Sequence, residues 1–317
     1  MRKPIAIYYE HPLWFEKLFA ELERRRVPFV RVDAHQHAYD PHASDGDFAL
    51  VFNRMSPSAY TRGAGQALFY TLDWLEHLEA RGVRVVNGSR AFRTEISKAR
   101  QAQLLASLRL PYPATRVINH AEQAPRAAAA LRFPVLVKPN IGGSGAGIQR
   151  FDSPEALERA ARDGQLSLGP DGTALVQEFI PARGGTITRV EVLGGKYLYA
   201  IRIQLAGETY NLCPGSICQT TDGVALTRTT CPADAPKSGL TVEGVTPPAE
   251  VITAVERIMH GAGIEVGGVE SIVDDRDGQL YYYDINALSN FVADAPRVVG
   301  FDPFARLVDF LEQEAQR

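Results

Sequence analysis

Two groups of residues in this sequence have the types and spacing to do chemistry: a glycine-rich loop entered by a lysine, and two carboxylates with an amide near the C-terminus. The loop is "KPNIGGSGAGI", residues 138–148, directly after the apolar run "FPVLV". Gly142, Gly143, Gly145 and Gly147 crowd it, the composition of a phosphate cradle. Lys138 ends a strand that reads as buried, where an unpaired ammonium would be costly, so it should face an anion or a polar cleft. Two familiar phosphate motifs fail on spacing. A P-loop needs Lys and then Ser or Thr after its last glycine, but Ile148 and Gln149 follow Gly147, and no set of these glycines fits the dinucleotide fingerprint. A flexible hairpin between two strands is the alternative reading of an isolated glycine cluster.

In the second group, "YYYDIN", Asp284 and Asn286 stand two apart on an expected strand and so share a face. Glu270 lies on the preceding expected strand. Two carboxylates and an amide oxygen are hard ligands, suited to Mg²⁺ bridging nucleotide phosphates rather than to zinc. A solvated polar strand face is the alternative, against which the three neighbouring tyrosines argue. If Asp274 pairs with Gln279 across a regular four-residue turn, Glu270 faces Tyr283 and Asp284 lies on the other face. The metal reading therefore requires a longer loop or a bulge that sets Glu270 opposite Asp284.

Other polar groups are weaker candidates. Asn53 and Arg54 follow an expected parallel strand, the place where ligands approach such sheets, which suggests substrate carboxylate binding by Arg54. His35, His37 and His42 crowd "DAHQHAYDPH", where a polar loop is the simpler reading than a metal triad, since no apolar frame fixes their spacing. Cys213, Cys218 and Cys231 form no C-x-x-C pair and have no histidine nearby, which disfavours zinc. An odd number of cysteines in a chain this long fits a reducing cytoplasm.

The elements that must position these residues can be read in outline. "KPIAIYY", "PFVRVD", "DFALVFN" and "VRVVN" read as strands, separated by helices at "PLWFEKLFAELERRR" and "GQALFYTLDWLEHLEARG", which makes a small parallel α/β layer. Next come a helix over "TEISKARQAQLLASLRL", the strand "TRVINH", the alanine-rich "AEQAPRAAAALR" and the strand "FPVLVK". After the glycine loop follow "GIQRF", a helix capped by Ser153 with Pro154 in its first turn, and the strand "TALVQEFI". The last third holds the long strands "TITRVEVL" and "KYLYAIRIQ" and a helix near "PPAEVITAVERIMHGAG". It closes with the pair "VGGVESIVDD" and "QLYYYDIN" and a helix opened by Asp302 and Pro303.

Composition excludes some classes. The 317 residues are 45% hydrophobic with a formal net charge of -3, so no general attraction to nucleic acid or an anionic membrane is expected. No apolar run approaches the roughly 20 residues of a membrane span, and the apolar start is broken by Glu10 and His11, unlike a signal peptide.

Taken in order, "SKARQAQLL", "FPVLVKP", "GGSGAG", "VQEFI" and "YYYDINALSN" resemble the ATP-grasp carboxylate–amine ligases, in particular the glutathione synthetase and alpha-L-glutamate ligase branch. The resemblance implies an ATP-grasp fold of α/β class, with an N-terminal parallel α/β domain (1–93), a small lid lobe (94–180) and a larger lobe carrying the metal site (181–317). ATP would lie between antiparallel sheets. Lys98 and Lys138 would contact its phosphates, and Gly142, Gly143, Ser144 and Gly145 would belong to a lid closing over them, mobile when empty. Gln177, Glu178, Phe179 and Ile180 would hold adenine. Arg202 would meet the transferred phosphoryl group, with Lys138 as its catalytic companion, and Glu270, Asp284 and Asn286 would bind Mg²⁺, or Mn²⁺ in its place. Asn211, Gly215 and Ser216 stand where relatives place an acceptor loop, and Arg189 and Asn290 join Asn53 and Arg54 as substrate residues.

Relatives usually have Glu at the position of Asp284 and an acid after the hinge for the ribose, for which Glu191 is a weak substitute. The activity implied is ATP- and Mg²⁺-dependent joining of a small-molecule carboxylate to an amine through an acyl phosphate, by a cytoplasmic homodimer or homotetramer. Phosphoryl transfer to a hydroxyl, and nucleotide binding without turnover, are the competing functions.

Overall fold

The computed structural model describes residues 3–42, 46–143, 145–205 and 241–317. Ser144, Asn211, Gly215, Ser216 and the three cysteines lie outside the described residues. The chain opens with β1 (Ile5–Tyr9), α1 (Glu16–Arg24), β2 (Phe29–Asp33), β3 (Leu50–Arg54), α2 (Gly65–Ala80) and β4 (Val85–Val86). These strands form one sheet in the order β2-β1-β3-β4, and every pairing in it is parallel. The sheet is covered on both faces, so β1 and β3 are buried at every position, and they read as continuous apolar runs instead of alternating ones.

Two short helices follow, α3 (Ser89–Glu95) and α4 (Lys98–Ser107). The sequence suggested one helix across this segment. Ser97 interrupts it: its backbone is extended and its hydroxyl accepts from the Arg100 N–H, so a fresh helix begins at Lys98. The second sheet contains β5 (Thr115–Ile118), β6 (Val135–Pro139), β7 (Gln149–Phe151) and β8 (Ala174–Glu178), backed by α5 (Ala124–Ala128) and α6 (Pro154–Arg162). Its order is β5-β8-β6-β7, with antiparallel pairs throughout. The third sheet, order β11-β10-β9-β12-β13, consists of β9 (Ala182–Leu193), β10 (Lys196–Gln204), β11 (Val242–Val245), β12 (Val266–Asp274) and β13 (Leu280–Asn286). Helices α7 (Ala249–Ala262), α8 (Ala295–Val299) and α9 (Pro303–Glu314) complete the chain.

Alternation along β9 and β10 sends the two faces of the third sheet into different cores. Ile187, Tyr199, Ile201 and Ile203 pack with Ile7, Phe15 and Leu18 of the N-terminal layer and with Phe291 and Leu307. Val190, Val192 and Ala200 pack instead under α7, with Ile258, Met259 and Leu105. Leu105 and Ala91 thus belong to the core of the large sheet, although the sequence reading assigned Leu105 to the small lobe (94–180) and Ala91 to the N-terminal domain (1–93). The small lobe's own core starts with Ile118 and runs through Val135, Val137 and Val176. Among the described residues no helix is long and apolar enough to cross a membrane.

Candidate active site

The second and third sheets enclose a cleft of about 560 Å³. Phe133, Pro134, Leu136 and residues 177–180 line one side, and Ile187, Ile272 and Tyr283 the other. Apolar side chains on both sides of the cleft suit a flat aromatic ring. The side chains of Gln177 and Glu178 are engaged at the edge: the Gln177 amide donates to Thr115 Oγ1 (2.7 Å) and the Glu178 carboxylate accepts from the Arg132 N–H (2.8 Å). Phe179 leaves the strand with its N–H donating to the Pro134 carbonyl, and the Arg150 guanidinium lies 4.8 Å from its ring centre.

Next to the cleft, a charged cluster is buried. Glu270 and Asp284 are register partners, and a β-bulge follows Glu270, which pairs Ser271 with Tyr282 and leaves Tyr283 as the extra residue. The turn keeps four residues between Asp274 and Gln279, the arrangement that alone would have set Glu270 opposite Tyr283, and the bulge alone brings Glu270 opposite Asp284. The Tyr283 hydroxyl donates to Glu270 Oε2 at 2.8 Å. Arg189, the register partner of Glu270 on β9, donates from Nη1 to Glu270 Oε1 (3.0 Å) and from Nε to Glu191 Oε1 (2.6 Å). On the other side, Lys98 Nζ lies 2.6 Å from Asp284 Oδ1, and the Asn286 amide reaches Asp284 Oδ2 at 3.3 Å.

The electrostatics follow from burial. Desolvation raises the Glu270 carboxyl, and the neighbouring Asp284 adds to the rise. Desolvation pushes Asp284 the same way, but Lys98 and Lys138 outweigh it and hold Asp284 below its ordinary range. Lys138 is only 5% exposed, and its ammonium forms no hydrogen bond or ion pair among the described residues. Burial first, and then Lys98, pull it down to about 7. Asp284 acts in the opposite sense and does not offset them.

Two carboxylates forced together beside an amide oxygen are the donor set of a hard divalent cation. Among the described residues no three His, Cys, Asp or Glu side chains form a metal-holding group, so any such ion would be completed by oxygens from a ligand, as is usual for Mg²⁺ on nucleotide phosphates.

The sequence did not point to the residues that hold this cluster in place. Glu95, 4% exposed, accepts from the backbone N–H of Ala287, and burial drives its carboxyl up to about 7. Gln101 clamps β13, donating to the Ile285 carbonyl (2.8 Å) and accepting from the Ile285 N–H (3.2 Å). Asn140 accepts from Ser97 Oγ and from the Ala99 N–H, which ties the start of α4 to the end of β6 and brings Lys98 near Lys138. The helical spacing of Glu95 and Gln101 gave no sign of a polar role. Gly268, by contrast, was readable as a glycine inside a strand: a Cβ there would lie 2.9 Å from Glu191 Oε2 and 3.1 Å from Arg189 Nε. Gly268→Ala should therefore cost roughly 1–3 kcal/mol of stability, measured by urea unfolding.

Several expected site residues stand elsewhere. Arg202 pairs with Thr188 and Glu243 in register, on the face opposite Arg189 and Glu270. Its guanidinium, about half exposed, forms an ion pair with Glu243 at 2.7 Å. The described geometry thus keeps it from the cluster, and Arg189 is the guanidinium found there. Arg54 is 2% exposed, lies over the rings of Phe15 and Phe52, and donates to the Ser289 carbonyl and to Asn290 Oδ1. It fastens the turn after β13. Asn53 spends its amide on the Asn87 carbonyl and the Met55 N–H. Glu191 is buried with Arg189 and does not line the cleft, so it does not stand where a ribose would. His35 bonds Asp33 and His37 bonds Tyr70, so they do not converge on one point. Gly142 passes above Lys98, and Gly143 lies against Ser58, where a Cβ would come within 3.1 Å. Within the loop, Gly143 thus meets the N-terminal layer, whereas Gly147 lies against Pro139 of the small lobe, where a Cβ would come within 2.8 Å.

A cleft between two antiparallel sheets, with a glycine loop, paired lysines and a carboxylate cluster at one end, defines the ATP-grasp fold. Residues 96–220 match the family described as a RimK-like ATP-grasp domain. The chain is 34% identical over 158 residues, 47% of its length and 48% of the relative's, to the tetrahydromethanopterin:alpha-L-glutamate ligase of Methanosarcina acetivorans. It is 30% identical over 202 residues to a protein of Marinobacter nauticus named "Probable alpha-L-glutamate ligase", covering 63% of this chain and 64% of that one. The chain thus spans about half to two thirds of the length of these relatives. The crystal structure of a RimK domain ATP-grasp protein from Sphaerobacter thermophilus superposes with a TM-score of 0.65 at 19% identity, over 97% of this chain and 99% of that one, which shows the shared fold.

Proposed function

We propose that this protein is a ligase that binds ATP in the cleft with a divalent cation, activates a carboxylate as an acyl phosphate and joins it to an amine. The observation that carries the reading is Lys138: a buried ammonium with no partner among the described residues, beside Lys98 and the Asp284–Glu270 pair and at the end of a cleft fit for a purine. A triphosphate would supply the missing anion. Gln177, Glu178, Phe179 and Ile180 would flank the base, and Gly142, Gly143 and Gly145 would lie over the phosphates.

Glu270, Asp284 and Asn286 would hold Mg²⁺, which when bound neutralises developing charge on the phosphates. Lys98, now on Asp284, would be shared with a phosphate oxygen, and Lys138 would be recharged by it. The substrate carboxylate oxygen attacks the γ-phosphorus as the bond to the ADP oxygen breaks. The amine then attacks the acyl carbon, phosphate leaves, and the amine gives up a proton. Because an acyl phosphate hydrolyses in water, a loop seated over it has a purpose. No nucleophilic side chain is needed.

Incubation with ATP, Mg²⁺, pooled carboxylates and hydroxylamine should give ADP and a hydroxamate. ADP with a stable phosphate ester would mean phosphoryl transfer to a hydroxyl, and no ADP with any pool would leave a binding module. The names of the relatives make L-glutamate the first amine to test. A cytoplasmic location and a homo-oligomer belong to the same reading.

A further inference from the structure

Three tyrosines stand in a row on β13, and the bulge singles out the last of them. Tyr282 is buried under α7, whereas Tyr283 packs on the opposite face, with the core of the N-terminal layer. Regular alternation would send Asp284 back to the face of Tyr282. The bulge prevents this by leaving Tyr283 as the extra residue, so that Asp284 still pairs with Glu270. Two consecutive side chains thereby serve one site. The Tyr283 ring lines the cleft with Ile187 and Ile272, and its hydroxyl donates to Glu270 Oε2 at 2.8 Å. The other oxygen of that carboxylate, Oε1, accepts from Arg189 Nη1 at 3.0 Å, and Arg189 Nε in turn donates to Glu191 at 2.6 Å. One donor on each oxygen fixes the rotation of the Glu270 carboxylate and leaves each oxygen a lone pair for a cation. Of the two donors, Tyr283 is the one that also lines the cleft.

We propose, resting on the ligase reading above, that Tyr283 is a positioning residue that couples nucleotide binding to cation binding: its ring packs on the nucleotide while its hydroxyl sets Glu270 for the cation. A carboxylate already held by a hydrogen bond meets the ion with less rotational freedom left to lose. Ring and hydroxyl belong to one rigid group, so a nucleotide that settles the ring also settles the donor on Glu270. The coupling is reciprocal: whatever the nucleotide does for the cation through this side chain, the cation does for the nucleotide. Phosphate oxygens on the ion add a coupling of their own. That part does not involve the phenol and is common to the wild type and Tyr283→Phe, so the difference between the two reports the hydroxyl.

The test uses the full chain and a fluorescent ADP analogue, titrated first in EDTA and then at rising Mg²⁺, so that binding is read without turnover. Tyr283→Phe keeps the ring and should leave the cation-free affinity unchanged. It should raise the half-saturating Mg²⁺ concentration about 10- to 100-fold, the range for losing an outer hydrogen bond to a metal-ligating group. Tyr283→Leu loses the ring too, and should also weaken cation-free binding about 5- to 10-fold, the lower end for an aromatic contact with a base. Tyr281→Phe and Tyr282→Phe should match the wild type in both titrations. A second measurement needs no variant at 283: Mg²⁺ added to the nucleotide-bound wild type should perturb the near-ultraviolet tyrosine absorption, because the acceptor of the hydroxyl then shares its charge with the ion. An unchanged Mg²⁺ requirement in Tyr283→Phe, or no tyrosine perturbation in the wild type, would overturn the coupling and leave the hydroxyl a structural donor. Failure of the ligase reading would look different: the wild type would not bind the analogue with or without Mg²⁺, which overturns both, or would bind it with the coupling intact yet give no hydroxamate, which overturns the reading alone.

Discussion

Binding of ATP at pH 8 is expected to take up close to one proton per chain, and Lys138→Met is expected to abolish most of that uptake. In the free protein the ammonium is pulled down to about 7 by burial and by Lys98, so at pH 8 most molecules carry a neutral Lys138. A triphosphate beside it favours the charged form and lifts it back towards the ordinary lysine range. The uptake should fade below about pH 6, where Lys138 is already charged. Calorimetry of ATP binding in buffers of different ionisation enthalpy reads it directly. Glu95, also near 7, would respond in the same direction, so the difference between wild type and Lys138→Met isolates the lysine.

The sign for stability follows from the same shift. A lysine depressed in the folded state leaves the unfolded chain holding more protons, so stability rises with pH from about 7 upwards. Lys138→Met should flatten that rise, and it should not destabilise the free protein, because it removes a buried amine that forms no hydrogen bond or ion pair among the described residues and whose charged form burial disfavours. Turnover should fall with it by about 100- to 1,000-fold, the cost of losing one charge-stabilising group in a closed site. A variant with normal proton uptake and normal rate would remove Lys138 from the site.

How far the sequence foretold this arrangement depends on the kind of constraint involved. Strand and helix periodicity marked most elements, because a half-buried face repeats every second or every third to fourth residue. The same periodicity ran through Ser97, where a side-chain cap divides one expected helix into two. Glu270 and Asp284 were legible as a pair because the spacing from the turn forced a choice between a bulge and opposite faces. Arg202 was misplaced for a related reason. Its neighbours Ile201 and Ile203 share the face that meets the N-terminal layer, and that alternation sends Arg202 to the other side. Arg54 and Arg62 show a second limit. Arg54 ends β3 and Arg62 follows it, and only the fold shows that the first donates to Ser289 and Asn290 while the second pairs with Glu10, just after β1. Long-range partners such as Glu95 with Ala287, 192 residues apart, leave no local trace at all.

Asp284→Asn should lower turnover by about 100- to 1,000-fold or more while the fold remains intact. The carboxylate serves two neighbours, the Lys98 ammonium at 2.6 Å and the Glu270 carboxyl that it raises. As a neutral isostere, Asn keeps the shape, takes the counter-ion from Lys98 and relieves Glu270. The opposed effects on stability make a large change in melting temperature unexpected. The demand for Mg²⁺ should rise, because one of two hard anionic donors is gone.

A simpler account makes Asp284 only the counter-ion of Lys98, and the double variant Lys98→Met/Asp284→Asn separates the two. If Asp284 merely neutralises the lysine, removing both charges should recover much of the loss. If each meets the nucleotide and its metal, the double variant should be at least as impaired as the worse single one, with a raised half-saturating Mg²⁺ concentration wherever turnover is measurable. Recovery to near the wild-type rate would withdraw Asp284 from the metal set and leave Glu270 and Asn286 too few donors to hold the ion.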